Sequence, residues 1–263
     1  MRIGAYQFEV TGHEDINYEH IKEGVEKAVT AGVRLLVFPE CAVTGYPPYC
    51  VKTSSEVHSD AVDRIHELIQ ALADEYQIFL VVGTILEEDK KHYNAAILFC
   101  PNGRRTIYRK RALWGWDREN FSSGEDSGVV SIDSYKIGIR ICFEVRFPEY
   151  FRELYRDQTD LNLILFFDKS ERENLERYSL IKSHIQTRAV ENVCHILTCN
   201  TSAIHQTAPT GLYDRSGRTL IELDRGTEDL LTYDFERIPL DFGECGRKEI
   251  SDLLIKTSYS FSG

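Results

Sequence analysis

The chain has 263 residues, 42% of them hydrophobic, and a formal net charge of -11 from 31 basic and 42 acidic side chains. Its length suits one large core, and no Pro-, Gly- or Ser-rich tract marks a linker, so we expect a single domain over residues 1–263. The negative charge disfavours nucleic acid and anionic membrane surfaces, and we expect neither as a partner.

The first ten residues, MRIGAYQFEV, alternate like a strand and carry one basic side chain, which is not the pattern of a signal peptide. No apolar run approaches the ~18 residues that a membrane-spanning helix needs. Together these observations predict a cytoplasmic location.

Strands and helices alternate along the first part of the chain. Apolar residues at helical spacing predict helices over residues 18–32 and 56–76, a third helix beginning at Pro148, and a fourth from about Leu175 to Val193. The middle of the chain reads as successive strands joined by turns. Strand-like runs are RIGAYQF, RLLVF, IFLVVG, AAILF, GVVSI, KIGIRIC, LNLILFF and CHILTC. The pattern predicts an α/β protein with mixed sheets covered by helices.

Three strand-like runs each end on a reactive side chain: RLLVFPE on Glu40, RTIYRK on Lys110 and KIGIRIC on Cys142. In α/β proteins, functional groups gather beyond the carboxyl ends of strands, where loops converge on a rigid sheet. A carboxylate base, a fixed cation and a thiol are the groups needed to attack an unreactive carbon and release its nitrogen as ammonia or an amine. The pattern therefore predicts hydrolysis of a carbon–nitrogen bond.

The chemistry of each group suggests its role. A thiol with an ordinary pKa of about 8.5 needs a base to take its proton or a cation to favour the thiolate, and Glu40 and Lys110 would supply these. Lys110 and the backbone N–H of Phe143 would stabilise the charge that develops on the substrate. Glu40 would then activate the water that hydrolyses the thioester.

Each of the three residues also has an ordinary structural explanation. Cys142 alone would be one of seven cysteines, of which six are expected to be inert, and a buried strand position accounts for it. Glu40 alone would be a loop carboxylate bonded to a turn, and Lys110 a solvated surface charge. The cysteines include no CxxC pair, which argues against a zinc site and a disulfide framework.

The residues around these three positions favour the catalytic explanation. LLVFPECAVTGY, YRKRAL and ICFEVRFPE, with YNAAILFCPNGR, FSSGED, TRAVENVCHILTCN and TGLYDRSGR, resemble the nitrilase superfamily of carbon–nitrogen hydrolases in the expected order along nearly the whole chain. The resemblance implies an α-β-β-α sandwich of two mixed sheets and assembly as a homodimer or higher oligomer. It implies Glu40 as general base, Lys110 as oxyanion-stabilising cation and Cys142 as nucleophile, with no metal or organic cofactor.

Members of this superfamily often carry a second glutamate between the lysine motif and the FxxG turn. Here Asp117 stands at the commonest spacing before Phe121 and Gly124, and Glu119 follows two residues later. An aspartate reaches one methylene less far than a glutamate, so Glu119 is the alternative. A solvated loop acid without this role is the third interpretation.

Five further residues are candidates for the substrate pocket. Trp114 and Trp116 either form an apolar wall over the substrate or anchor their loop to the core. Relatives follow the LNLILFF strand with a small-residue loop and a tryptophan, whereas this chain reads FFDKSERENLERYSLIKSHIQ. By position, Phe167, Asp168 and Tyr178 would line the pocket, and a solvated loop with a charged helix is the alternative.

The resulting hypothesis is hydrolysis of a non-peptide C–N bond in a small amide, with water as co-substrate and a cysteine thioester as intermediate. Hydrolysis of an N-carbamoyl amine or of a nitrile would use the same three residues. A non-catalytic ligand-binding member of the fold and a thiol redox sensor are the alternatives outside this enzyme class.

Overall fold

The structure is a computed structural model that describes residues 1–258. Helices within this range are α1 (Glu14–Thr30), α2 (Ser59–Tyr76), α3 (Trp116–Asn120), α4 (Pro148–Arg156), α5 (Leu175–Glu191) and α6 (Phe242–Ser258). The four predicted helices correspond to α1, α2, α4 and α5, and Pro148 is the first residue of α4 as predicted. The short α3 and the long α6 were not predicted.

The strands form two six-stranded sheets, with orders β12-β1-β2-β3-β4-β5 and β11-β10-β9-β8-β7-β6. Each sheet is mixed. Three neighbouring strands that are connected through helices run parallel to one another, β1, β2 and β3 in the first sheet and β7, β8 and β9 in the second, and the other neighbouring strands pair antiparallel. The strands are β1 (Arg2–Gln7), β2 (Leu35–Val37), β3 (Phe79–Glu88), β4 (Lys91–Phe99), β5 (Arg105–Arg109), β6 (Val129–Ile132), β7 (Tyr135–Ile141), β8 (Leu161–Phe166), β9 (His195–Asn200), β10 (Gly211–Tyr213), β11 (Thr219–Glu222) and β12 (Asp229–Asp234).

Successive side chains along each strand point to opposite faces of the sheet, and this alternation explains why the two sheets pack face to face. On β8, Leu163 and Leu165 enter a core shared by both sheets, whereas Ile164 points the other way and packs with Ile181 and Ile185 of α5. The first sheet is built in the same way, with α1 and α2 covering its outer face. Because successive strand residues face opposite sides, this pattern produces the four layers. The α-β-β-α sandwich is confirmed.

Both sheets contribute to the region in which the three reactive residues lie. Lys110 directly follows β5 of the first sheet, and Cys142 directly follows β7 of the second. Glu40 lies three residues beyond the end of the short β2, in a turn rather than at the strand end itself. Two sheets packed face to face therefore bring one end of each sheet to a common edge.

None of the helices described within residues 1–258 is long and apolar enough to cross a bilayer.

A glycine in β3 allows the turn that carries Glu40 to lie against the sheet. A Cβ added at Gly83 would stand 2.2 Å from the carbonyl oxygen of Pro39 and 2.5 Å from the backbone nitrogen of Cys41. We expect Gly83→Ala to lower the free energy of unfolding by about 3 kcal/mol and to displace Glu40, because backbone atoms must move. Urea unfolding and turnover are the measurements.

Gly246→Ala is the matched control, because Gly246 lies in α6 and has nothing within 4 Å of the added carbon. It should raise stability by about 0.5–1 kcal/mol through helix propensity. Wild-type stability and turnover in Gly83→Ala would show that the turn does not depend on this close approach.

Candidate active site

Glu40 is held in place by both sheets. Its turn is bonded to β3, through Phe38 N–H to the Val81 carbonyl at 2.9 Å and Val43 N–H to the Gly83 carbonyl at 3.0 Å. The Glu40 N–H reaches across to the Phe166 carbonyl, at the end of β8, at 3.2 Å. Its side chain is buried, and hydrogen bonds from protein donors define the orientation of the carboxylate.

Three donors hold the Glu40 carboxylate. Oε1 accepts from Asn94 Nδ2 at 2.7 Å and from Lys110 Nζ at 2.8 Å, and Oε2 accepts from the Phe167 backbone N–H at 2.7 Å. Asn94 lies on β4, next to β5 in the first sheet, and its backbone carbonyl accepts from the backbone N–H of Lys110 at 2.8 Å. One strand residue therefore positions both the base and the cation.

Lys110 lies between two carboxylates. Its Nζ is 2.8 Å from Glu40 Oε1 and 2.7 Å from Asp117 Oδ2, and all three side chains are buried. The Tyr46 hydroxyl donates to Asp117 Oδ1 at 2.8 Å and so binds the second carboxylate from the other side. A buried ammonium is stable only with such partners, and here two carboxylates share it.

The structure distinguishes the two acids between which the sequence left a choice. Asp117, in the first turn of α3, is buried against Lys110, whereas Glu119, two residues later, is exposed to solvent. The short aspartate reaches Lys110 because α3 carries its backbone close to the site. The structure brings Asp117, and not Glu119, to Lys110.

Cys142 has an unusual backbone conformation. It is the first residue of a short 3-10 helix, Cys142–Arg146, and its φ of 44° is positive, which is costly for any residue with a Cβ. The adjoining Glu144 supports this sharp bend, because its Oε2 accepts from the Ile141 N–H at 2.7 Å and its Oε1 from the Tyr108 hydroxyl at 2.7 Å. Phe143 is the second residue of this helix, where backbone N–H groups lack a carbonyl partner within the helix.

Electrostatics couple the three residues. Burial raises the pKa of the Glu40 carboxyl, against the opposing effect of Lys110. Burial raises the pKa of the Cys142 thiol well above its usual value, and the Glu40 charge raises it further while Lys110 lowers it. Burial alone would lower the pKa of Lys110, but the charges of Asp117 and Glu40 outweigh it and hold that pKa well above the ordinary range. The resting site therefore contains an ammonium and a protonated thiol beside a base of raised pKa.

The proposed pocket residues divide into two groups. The Phe167 ring is buried and stacks on Tyr46 with centroids 5.2 Å apart, beside the Glu40–Lys110–Asp117 cluster. Trp116 lies edge-on against Tyr49 at 5.6 Å, and Tyr49 is 6.0 Å from the Phe167 ring. We call Trp116, Tyr49 and Phe167 the aromatic rim, since they lead from the surface toward Lys110.

Trp114, Asp168 and Tyr178 make other contacts. Trp114 is 66% exposed and lies beside Arg118, so it does not anchor its loop to the core. The Tyr178 hydroxyl donates to Glu222, the last residue of β11, at 2.8 Å. Asp168 is buried in an ion pair with Arg177 at 2.8 Å.

Sequence reasoning missed several residues that support the site. Asn94 donates to Glu40, and the Tyr46 hydroxyl donates to Asp117. Glu144 stabilises the bend at Cys142 by accepting from the Ile141 N–H. Asn94 had a signal, because it is a polar residue that directly precedes the apolar run AAILF of a predicted strand. Tyr46 and Glu144 lie in quoted motifs, but no spacing indicates which groups they contact.

The arrangement can accept a proton, stabilise an anion and supply a nucleophile in one place. A family model described as carbon-nitrogen hydrolase matches residues 2–238. The chain belongs to the carbon-nitrogen hydrolase family. The resemblance inferred from the sequence motifs is confirmed.

The relatives carry amidase names. This family member is 27% identical to the deaminated glutathione amidase of Dictyostelium discoideum over 95% of its own length and 91% of that protein. It is 29% identical to an omega-amidase of Xenopus laevis, over 56% of each chain.

The fold is shared with a solved amidase from Nesterenkonia sp. AN1. A variant of that amidase, which shows the Michael addition of acrylamide at its active-site cysteine, matches with a TM-score of 0.81 and 23% identity over 97% of this chain and 99% of the other.

The hydrogen bond from Asn94 to Glu40 should influence how kcat depends on pH. A base acts only when deprotonated, and the raised pKa of Glu40 places the acid limb of the rate profile above the ordinary glutamate value of about 4.3. Because the Asn94 hydrogen bond favours the carboxylate, Asn94→Ala should move this limb upward by about one pH unit and lower kcat by about tenfold. The measurement is kcat against pH.

Asn102→Ala is the control, because Asn102 lies in the exposed turn between β4 and β5. Its profile should overlay that of the wild type. An unchanged acid limb in Asn94→Ala would mean that Glu40 does not titrate as the base.

Proposed function

We propose that the protein hydrolyses small amides, releasing ammonia or an amine and a carboxylic acid. The observation that carries the proposal is the buried Lys110 bonded to Glu40 beside Cys142, because this arrangement combines base, cation and nucleophile. Family membership and the amidase names of the relatives support the same reaction.

In the first half of the reaction, Cys142 Sγ attacks the amide carbon and its proton passes to the Glu40 carboxylate. Burial keeps the thiol protonated, and it also raises the pKa of Glu40, which makes the carboxylate a stronger proton acceptor than a free glutamate. Lys110 Nζ and the Phe143 N–H stabilise the oxyanion. The C–N bond then breaks, the nitrogen takes the proton from Glu40, and ammonia leaves a thioester on Cys142.

In the second half, Glu40 takes a proton from water, and the resulting hydroxide attacks the thioester carbon. The oxyanion again forms beside Lys110. The C–S bond breaks, the acid leaves, and Glu40 returns the proton to the sulfur. Asp117 keeps Lys110 protonated and in position throughout, so we assign it a positioning role.

The alternatives differ in how well they agree with the site. N-carbamoyl amines and nitriles would be attacked by the same Cys142, and only a substrate panel separates them from amides. A redox sensor requires a thiolate of low pKa, whereas burial raises the pKa of Cys142. A purely ligand-binding protein would not need a base, a cation and a thiol together.

We also propose that residues 1–263 form one cytoplasmic domain that assembles as a homodimer or higher oligomer. Exposed apolar side chains on α6, with Phe242 98% exposed and Ile250 also exposed, support an association surface. Light scattering should give a mass of two or more chains of 30.3 kDa each, and the mass of a single chain would contradict the assembly. Cell fractionation tests the location.

Single-turnover labelling tests the reaction. We expect ammonia release from a panel of monoamides, ω-amides, carbamoyl amines and nitriles, with an acyl group on the Cys142 peptide by mass spectrometry. Cys142→Ala should lower turnover at least about 10³-fold, because no other group can form the thioester. Cys50→Ala, which changes another partly buried cysteine, should retain turnover.

The amidase proposal fails if no compound of the panel yields ammonia and no adduct forms at Cys142. It fails equally if Cys142→Ala turns over like the wild type. A reversible disulfide at Cys142 after peroxide treatment, without hydrolysis, would favour the sensor.

A further inference from the structure

A second cavity lies at the end of the second sheet that is opposite Cys142. It has a volume of about 320 Å³, and His195 is part of its wall. Ile137, Leu161 and His195 pair in register near the beginnings of the parallel strands β7, β8 and β9, whereas Cys142 follows the end of β7. At about 3.3 Å per residue, the strand from Ile137 to Cys142 spans roughly 16 Å. The cavity is therefore separate from the active site.

The segment of residues 235–241, between β12 and α6, forms one wall of this cavity. Arg215 donates to two successive backbone carbonyls of the segment, at 3.0 and 3.1 Å. Arg237, within the segment, donates to both carboxylate oxygens of Asp160, at 2.6 and 2.7 Å. Two arginines therefore hold this wall in place and give the cavity a defined shape.

His195 is a buried polar side chain without a polar partner. It is 8% exposed, its ring packs edge-on against Phe235 with centroids 5.3 Å apart, and neither ring nitrogen has a hydrogen-bond partner within residues 1–258. Burial lowers the pKa of His195, and the charge of Arg215 lowers it further, whereas the charges of Asp214 and Glu244 raise it. Because an unpaired buried polar group costs free energy, most such groups have a partner. The imidazole is therefore available to a bound molecule.

The polar groups left over around the cavity are mainly hydrogen-bond donors. Both oxygens of Asp160 are bonded to Arg237, and Oδ2 also accepts from the Lys136 N–H at 2.8 Å. Within the described part of the chain, Arg237 Nη1 and Arg215 Nε have no hydrogen-bond partner. Glu236, the other acid of the wall, is exposed to solvent. A ligand that supplies acceptor oxygens satisfies these donors best.

The wall also offers apolar surface and a further ammonium. Lys248 Nζ donates to Gln158 Oε1 at 3.0 Å and to Asp252 Oδ2 at 3.3 Å, and 35% of its side chain is exposed. Apolar and aromatic side chains of the wall are Tyr155, Val193, Phe235, Ile238 and Leu240. A volume of about 320 Å³ lies at the small end of the range for ligand sites, which begins at about 300 Å³. The cavity therefore suits a small molecule with one polar and one apolar end.

We propose that this cavity binds a small carboxylate with an apolar or aromatic body. One carboxylate oxygen accepts from the His195 ring, the arginine N–H groups bind the other, and the apolar side chains pack against the body of the ligand. Because an anion beside an imidazole favours its protonated form, binding raises the pKa of His195. The site shares no residue with the active site and does not depend on the proposed hydrolysis.

The first arm of the test uses benzoate as the probe and benzyl alcohol as its neutral counterpart. In protein with ¹⁵N-labelled histidine, the His195 ring signals are assigned by their loss in His195→Gln and followed during titration. We expect benzoate to shift them saturably below about 10 mM and to raise the pKa of His195 by about one unit. His66, which is bonded to Thr84 on β3, is the internal control and should not respond.

The second arm measures the dissociation constant of 4-fluorobenzoate by ¹⁹F NMR. His195→Phe keeps an aromatic ring against Phe235 but removes the donor, so it should weaken binding at least about tenfold. Arg237→Met should also weaken it, and urea unfolding checks that this variant is folded. His58→Phe, an exposed histidine just before α2, is the matched control and should bind like the wild type.

Three results would overturn the inference. Benzoate leaves the His195 signals unchanged while binding elsewhere, benzyl alcohol shifts them as strongly as benzoate, or His195→Phe binds 4-fluorobenzoate like the wild type. In each case His195 is a packed core residue and the cavity is not a carboxylate site. None of these results bears on amide hydrolysis, which Cys142 acylation tests separately.

Discussion

The buried ammonium of Lys110 between Glu40 and Asp117 is the interaction on which the rest of the site depends. An unpaired charge at this depth would be strongly unfavourable, so the two carboxylates and the lysine stabilise one another only while all three are in place. Each comes from a different element: the turn after β2, the end of β5 and the first turn of α3. The fold must therefore bring these elements together before the cluster can form, and the cluster then fixes the position of each.

Hydrogen bonds from both sheets extend this constraint to the nucleophile. The second sheet contributes the Phe166 carbonyl and the Phe167 N–H to the Glu40 turn, and the first contributes Asn94. At the end of β7, Glu144 stabilises the strained backbone of Cys142 and also accepts from the Arg111 N–H at 2.8 Å, next to Lys110 in the chain. The face-to-face packing of the sheets thus sets the relative positions of base, cation and thiol.

Much of this could be predicted from the sequence, because strands that end on reactive residues and the motifs around them are local features. The choice between Asp117 and Glu119 could not, since both lie in one short helix and only burial distinguishes them. The place of Tyr178 in the pocket stays a prediction, and the sequence could not show that its hydroxyl donates to Glu222, because that bond joins α5 to a strand 44 residues away. Strands β10–β12 were missed because they are short or partly exposed, and they lack a long apolar run.

The charge of Lys110 is the most direct test of the account. In protein with ¹⁵N- and ¹³C-labelled lysine, the Lys110 side-chain signal can be assigned by its loss in Lys110→Met and followed as the pH is raised. Because Asp117 and Glu40 hold its pKa well above the ordinary range, the signal should remain that of an ammonium beyond the value of about 10.4 at which surface lysines titrate. Loss of the proton near neutral pH would contradict the charged cluster and the anion-stabilising role that follows from it.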